Sequence, residues 1–423
     1  MQPSDKFYRP NRRHFLGGAA AAAAGVAGLG SALAQDPLLD ALMQQQGGEG
    51  SGGFDAASRT VQMPKSSLPT LSPATVQTTE QAIPAYEEMV AKGGWPHIPP
   101  TDKLRLGVRH PSVVPMRQRL MAGGDLDLSS SLSDVYDSYV ERAVRRYQAR
   151  HGLTVDGVAR EQTIATMNIP AAARLNQLKV NVVRLRALAS ALSPRFVMSN
   201  IPAAQIEAVE NGVAVTRHTA VVGKPDRASP ELNSRIVEIN FNPYWTVPVS
   251  IVRKDLIPKM QAEPDYLSKQ RIRVLDPKGT EVAPAQINWY SEDAVNYRFK
   301  QDPGDFNSLG SIRINFPSAH GVYMHDTPLK NLFGEDFRFH SSGCMRVQNV
   351  RELVNWLLME TPGWQRDEIE RVIRSGERKD ARIVKPVPLH WVYVTAWATS
   401  DGVVQFRDDI YNRDGVGAFA QRG

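Results

Sequence analysis

The chain has one cysteine, Cys344, and three of its nine histidines lie close to it in sequence. His320-Gly321-Val322-Tyr323-Met324-His325-Asp326-Thr327-Pro328 is followed by His340-Ser341-Ser342-Gly343-Cys344-Met345-Arg346. A thiol is a weak nucleophile and a thiolate a strong one, and a neighbouring imidazole or guanidinium stabilises the anion. Cys344 has a candidate of each kind, a histidine and Arg346. Ser342 and Gly343 are small enough for a tight turn just before it. Such a turn can aim backbone N–H groups at one point and form an oxyanion hole, where a single donor is worth about 3 kcal/mol of barrier. The plainer use of a lone cysteine is as a small buried hydrophobe.

The base is chosen by strand geometry. Residues i and i+2 share a face of a strand, so Tyr323 and His325 are partners and His320 faces away if the strand is unbroken. Asp326-Thr327-Pro328 is a turn signal, which leaves His325 at a strand end, beside a loop and free to meet a second loop. His340, four residues from Cys344, either lines the site or orients His325. Zinc is the competing use of three histidines and a cysteine, but the spacings of five, fifteen and four match no familiar zinc pattern. No Gly-x-Ser-x-Gly elbow supports Ser341 or Ser342 as the nucleophile. No metal or other cofactor is expected.

The chain has 423 residues with 42% hydrophobic and 22% charged, room for two or three domains. Asn11-Arg12-Arg13-His14-Phe15-Leu16, an Ala/Gly-rich apolar stretch to Leu29, and Ala32-Leu33-Ala34 read as a cleaved export signal at 1–34, of twin-arginine or Sec type. The expected location is the periplasm. Residues 1–34 carry +3 of the formal +6, so the mature chain keeps +3. That charge is too mild to argue for nucleic acid. Exported proteins that rely on cysteine for stability carry it in pairs, and an unpaired thiol in a secreted chain points to reactivity. With its only cysteine at position 344, the chain also lacks the one a lipoprotein needs at its cleavage site.

Residues 35–78 are rich in Gly, Ser, Gln, Pro and Thr and read as a flexible tether. Order is expected from about Glu80, with 79–103 an ordered lead-in that holds a short helix at 86–91. Residues 104–170 read as a small all-α module with helices at 113–121, 138–150 and 161–168. Gly152 is suited to a left-handed cap. A connector helix fills most of 171–194, and Pro194 stops it. From Arg195 the apolar period changes to two. Strand signals appear at 196–198, 214–222, 236–241, 311–316, 321–324 and 391–397. A polar insertion at about 250–305 carries a helix at 254–260 and reads as a lid. One helix, 350–359, is expected to start with a capping box of Asn349 and Glu352. The fold class is multidomain α+β: a mainly-β domain over 195–410 with an inserted lid, the small helical module, and a tail at 411–423.

Two resemblances follow from these residues. Ala143-Val144, Tyr147-Gln148, His151-Gly152-Leu153, Val155-Asp156-Gly157-Val158, Thr163 and Asn168 resemble the small peptidoglycan-binding domain, which implies binding to glycan or stem peptide. His325-Asp326-Thr327-Pro328 with Ser342-Gly343-Cys344-Met345-Arg346 resembles the signature of the L,D-transpeptidases, the YkuD-type catalytic domain. Asn200-Ile201-Pro202, Val222-Gly223-Lys224 and Asn242-Pro243-Tyr244-Trp245-Thr246-Val247-Pro248 extend the likeness. With the helical module and the insertion, the whole resembles the large periplasmic subgroup, whose insertion caps the active site. Many members have His directly before Gly-Cys; here Ser342 stands there, as is common in the large subgroup. The third, orienting member of the Cys-His pair is then expected to be a backbone carbonyl.

The resemblance implies Cys344 as nucleophile and His325 as general base and later acid. Arg346 steadies the loop or holds a substrate carboxylate, and Tyr323 and Trp245 line the acyl-donor groove. It implies cross-linking of peptidoglycan stem peptides through a thioester, and acylation by carbapenems. Two alternatives stay open: an L,D-carboxypeptidase or endopeptidase with water as acceptor, and a non-catalytic wall-binding protein.

Overall fold

The computed structural model describes residues 66–415. The export signal at 1–34, most of the tether and the end of the tail lie outside the described residues. No helix among the described residues is long and apolar enough to cross a membrane.

Order begins earlier than the composition of 66–78 implies. Helix α1 runs Pro73–Ala91, with Pro near its first position and the Ser72 hydroxyl accepting the Thr75 N–H at 3.1 Å. Proline early in the first turn after a serine cap is a strong helix start. The preceding residues are held by the buried Glu207 carboxylate, which accepts the Thr70 N–H at 2.8 Å and its hydroxyl at 3.0 Å. The tether expected at 35–78 is thus corrected over its last residues.

The helical module contains α2 (Val113–Ala122), α3 (Ser138–Arg150) and α4 (Glu161–Met167) around its own core, which includes Met116, Leu120, Val140, Val144, Tyr147 and Ile164. Helix α3 has the span its periodicity predicts, capped by the Asp137 carboxylate. Gly152 takes φ +68°, and a Cβ there would press on the Arg407 guanidinium. That close approach joins the module to the β-rich domain, where Arg407 also donates to the Arg150 carbonyl at 2.9 Å. Helix α5 (Ala171–Ala189) does more than connect. Leu185 and Ala189 pack under Phe196, Met198 and Trp397, and Leu175 and Leu178 pack with Tyr86 and Phe406.

The β-rich domain is built on β1 (Arg195–Asn200), β2 (Gln205–Glu210), β3 (Val213–Gly223) and β4 (Leu232–Phe241). The insertion follows with β5 (Trp245–Thr246), a helical stretch over Val249–Ala262 that is π-helical at Val252–Leu256, then β6 (Ile272–Leu275), β7 (Glu281–Val282) and β8 (Arg298–Gln301). The chain returns with β9 (Ile312–Asn315), β10 (Met324–His325), β11 (Phe339–Ser341), β12 (Met345–Val347), helices α6 (Val350–Leu358) and α7 (Arg366–Ser375), β13 (Lys379–Val392), β14 (Ala396–Ala398) and β15 (Val404–Phe406). Nine strands form one sheet in the order β11-β3-β12-β10-β9-β4-β13-β1-β2. It closes on itself because the first half of β3 pairs with β2 and its end pairs with β12 and β11. Alternate residues of these strands pack on the apolar faces of α6 and α7 to form the main core.

Three local expectations are corrected. Asn349 is left-handed at φ +50° and its side chain makes no cap bond to α6, so there is no capping box. Gly321 at φ +64° interrupts the expected strand, which shrinks to β10 and leaves His320 exposed in a turn. The insertion is more than a helix and a turn. Its strands form a separate sheet, β5-β8-β6-β7, over a core that includes Trp245, Leu256, Tyr266 and Phe299.

Candidate active site

The site forms where β10 and β12 lie side by side and parallel. Met324 pairs with Met345 and His325 with Arg346, while β9 on the other side places Arg313 opposite His325. Met324 and Met345 point into the main core, so alternation sends His325 and Arg346 to the other face. Cys344 stands one residue before β12, and the following N–H, that of Met345, donates to the Tyr323 carbonyl at 3.1 Å. Cys344 therefore stands at the foot of β12, next to the strand that carries His325.

His325 is held in one tautomer. Its Nδ1 lies 2.5 Å from the backbone carbonyl of Asp326, and a carbonyl only accepts, so Nδ1 carries the proton and Nε2 is the basic nitrogen. The Asp326 carboxylate fixes that carbonyl in place. It accepts the Ser311 N–H at 2.9 Å and hydroxyl at 3.0 Å and pairs with Lys330. Burial opposes its ionisation, but Lys330 and the N–H groups of Ser311 and Thr327 outweigh burial and keep its pKa low. A Cβ at Gly310 would fall on this carboxylate, so glycine is required there.

The thiol and the imidazole both rest neutral. Burial, with the Arg346 charge as the next cause, lowers the His325 pKa to about 3. Burial raises the Cys344 pKa to about 11, against the stabilising pull of the Tyr323 N–H, Arg313, Arg346 and the Tyr323 hydroxyl. The expected lowering of the thiol pKa by its neighbours is outweighed by desolvation. The residue as a whole is half-buried.

The turn before Cys344 is cross-braced. Gly343 takes φ +115°, a region open to glycine. Its N–H donates to the Ser341 hydroxyl at 3.2 Å, and that hydroxyl donates to the Cys344 carbonyl at 2.5 Å. The Gly343 carbonyl accepts from Ser229 at 2.8 Å. With the N–H groups of Gly343 and Met345 engaged, these two are not available to the oxyanion hole expected from Ser342-Gly343. The Ser342 hydroxyl accepts from Arg227 at 3.0 Å.

The other anticipated residues are spread more widely. Tyr323 is half-buried, in contact with Cys344, Trp245 and Arg313, and its ring meets that of His325 edge-on at 5.7 Å. Trp245 is buried at 3% exposure in the core of the insertion and reaches the Tyr323 hydroxyl. Arg346 is buried. His340 is on β11, turned to the Glu335 carboxylate at 3.0 Å and the Phe337 carbonyl at 2.8 Å. Among the described residues no three His, Cys, Asp or Glu side chains gather as a metal set. Sequence reasoning missed Arg227, Ser229, Asp255 and Arg313, and gave Asp326 a turn and a place in the signature but no part in holding His325.

Residues 194–369 match the family model described as the L,D-transpeptidase catalytic domain, YkuD. The chain carries an L,D-transpeptidase catalytic domain. Residues 109–167 match the model described as "Putative peptidoglycan binding domain", over the helical module. A curated protein of Haemophilus influenzae named "Putative L,D-transpeptidase" is 35% identical over 259 residues, 60% of this chain and 52% of that protein. The chain thus spans about half the length of that relative. Among solved structures, the L,D-transpeptidase of Stackebrandtia nassauensis is 10% identical, covering 70% of this chain and 97% of that one with a TM-score of 0.27. That of Xylanimonas cellulosilytica is 15% identical, covering 70% and 99% with a TM-score of 0.23. The L,D-transpeptidase domain is the β-rich unit that holds Cys344 and His325, and the insertion lies within it.

Proposed function

We propose that the chain is a peptidoglycan L,D-transpeptidase that works in the periplasm after export by a twin-arginine or Sec signal. Its substrates would be stem peptides, as both donor and acceptor, and the helical module would hold it on the wall. The observation that supports the reading is a histidine on β10 whose Nδ1 is committed to a carbonyl, with Cys344 at the foot of the neighbouring β12, in a region that matches this family's catalytic domain.

In the first step the sulfur attacks the carbonyl between the diamino acid and the terminal D-alanine of a tetrapeptide stem. His325 Nε2 takes the thiol proton as the S–C bond forms, since the resting pair is neutral. The N–H of Cys344 faces the developing oxyanion. The imidazolium then protonates the leaving D-alanine nitrogen as the C–N bond breaks. In the second step the side-chain amine of another stem loses its proton to His325 and attacks the thioester. A new C–N bond forms and the thiolate leaves, regaining its proton. Arg346 steadies the loop, and Tyr323, with Trp245 behind it, borders the donor. An insertion that limits water favours amine over hydrolysis.

The test is incubation with a carbapenem followed by intact-mass measurement, and product analysis on isolated muropeptides. A covalent adduct on the native chain, none on Cys344→Ala, and cross-linked dimers are expected. Free tripeptide without dimer would make the enzyme a hydrolase. Absence of both adduct and product overturns the catalytic reading.

A further inference from the structure

We propose that Arg227 and Asp255 are positioning residues that tie the insertion to the nucleophile turn, so that the insertion sets where the sulfur of Cys344 sits. The inference rests on the catalytic role given to Cys344 above. Asp255 belongs to the π-helical stretch of the insertion and is buried at 6% exposure, next to Leu256 in the insertion's core. It accepts both terminal nitrogens of Arg227, at 2.5 and 2.8 Å. Arg227 lies outside the insertion, in the loop between β3 and β4, and donates to the Ser342 hydroxyl at 3.0 Å. Ser342 is two residues from the sulfur.

The same loop grips the turn through its backbone. A Cβ on Gly343 would stand 3.7 Å from the Ala228 carbonyl and 3.9 Å from that of Arg227. Ser229 joins the Gly223 N–H at 2.9 Å to the Gly343 carbonyl at 2.8 Å. The insertion also reaches the sulfur from another direction, through Trp245 and Tyr323. A buried ion pair is a costly way to hold a fold and earns its place only with good geometry. A planar fork that spends its donors on a carboxylate and a hydroxyl is the arrangement that transmits orientation. Small displacements of a reacting group cost up to about a hundredfold in rate.

The test uses the full chain with Ser342→Ala, Asp255→Asn, Arg227→Lys and the Asp255→Asn/Ser342→Ala pair. Three quantities are read: turnover of tetrapeptide muropeptides, the rate of Cys344 alkylation by iodoacetamide at pH 8, and the thermal midpoint. Loosening the turn exposes a thiol now held near pKa 11, so alkylation should rise about tenfold while kcat falls about tenfold with little change in KM. The double variant should be no worse than the worse single variant, because both cut one chain of contacts. Unchanged or slower alkylation, multiplying losses, or changes that only follow a lowered midpoint overturn the proposal. Ser342→Ala removes one hydroxyl and stands as the test if Asp255→Asn does not fold. Should the native chain make no cross-link, the alkylation rates still decide this proposal separately from the catalytic one.

Discussion

His325 stands directly opposite Arg346 across two parallel strands. Arg313 stands opposite it on the other side. Burial first, and then the charges of Arg346 and Arg313, penalise protonation of the imidazole and bring its pKa down to about 3. Replacing Arg346 with Gln removes the stronger of the two charges. The acid limb of the turnover profile should then move up by roughly one pH unit. Turnover measured from pH 3 to 8 on both chains checks it; an unmoved limb would mean that Arg346 acts through packing alone.

Stability should fall on both sides of neutrality for reasons traceable to the same pair. The folded His325 pKa, about 3, is below its ordinary value of 6.5, so on acidification the unfolded chain takes the proton first. Its contribution is lost progressively as pH falls from 6.5 towards 3, by up to about 1.4 kcal/mol per unit. The folded Cys344 pKa, about 11, is above its ordinary value of 9.0, so the unfolded chain loses that proton first and stability declines from pH 9 to 11. Urea unfolding across pH should show a shallower acid slope for His325→Gln and a shallower alkaline slope for Cys344→Ser.

Gly310 sits at φ +57° with Asp326 in the space a Cβ would need. Gly310→Ala should destabilise the fold by about 1–3 kcal/mol. It should also lower kcat, because displacing Asp326 moves the carbonyl that holds Nδ1 of His325. Ser311→Ala, which removes one hydrogen bond to the same carboxylate, should cost about 1 kcal/mol. Denaturant midpoints together with turnover separate the two effects. Full activity in Gly310→Ala would end the argument that Asp326 orients the histidine.

A chain beginning at Glu80 should be markedly less stable than one beginning at Ser66. The shorter chain loses buried Leu71, the first half of α1 and the two Thr70 bonds to Glu207. The Glu207 carboxylate would keep Arg217 at 3.0 Å and Gln205 at 2.9 Å, with its remaining lone pairs stranded. A loss of about 3 kcal/mol is expected from that burial and bonding together, read as a fall in the thermal midpoint.

What could be read in advance was whatever is written in neighbouring residues. Val140, Ala143, Val144 and Tyr147, at helical spacing, fixed α3 to the residue; Tyr139, read onto the same face, is exposed instead. The alternation at Ile236 to Phe241 located part of β4, and Cys344 and His325 stood out by type and spacing. The strand expected at 391–397 is in fact the end of β13 and the start of β14, broken at 393–395, and the rest of β13 escaped notice because Pro386 and Pro388 argue against a central strand; the register shift between Arg382 and Val387 accommodates Pro386. Helix α7 and the start of α1 were hidden in polar, proline-containing stretches.

The sequence alone determined the chemistry available to this protein: one thiol, a histidine at a strand end, a small-residue turn, and the periodicities that make the strands and helices. These depend on local sterics and on residue type, which sequence carries directly. Only the tertiary structure decided that Asp255 and Arg227 would meet beside Ser342, that Arg313 would face His325, and that thiol and imidazole would rest uncharged. Those outcomes follow from sheet closure and water exclusion, which bring together residues with no common pattern along the chain.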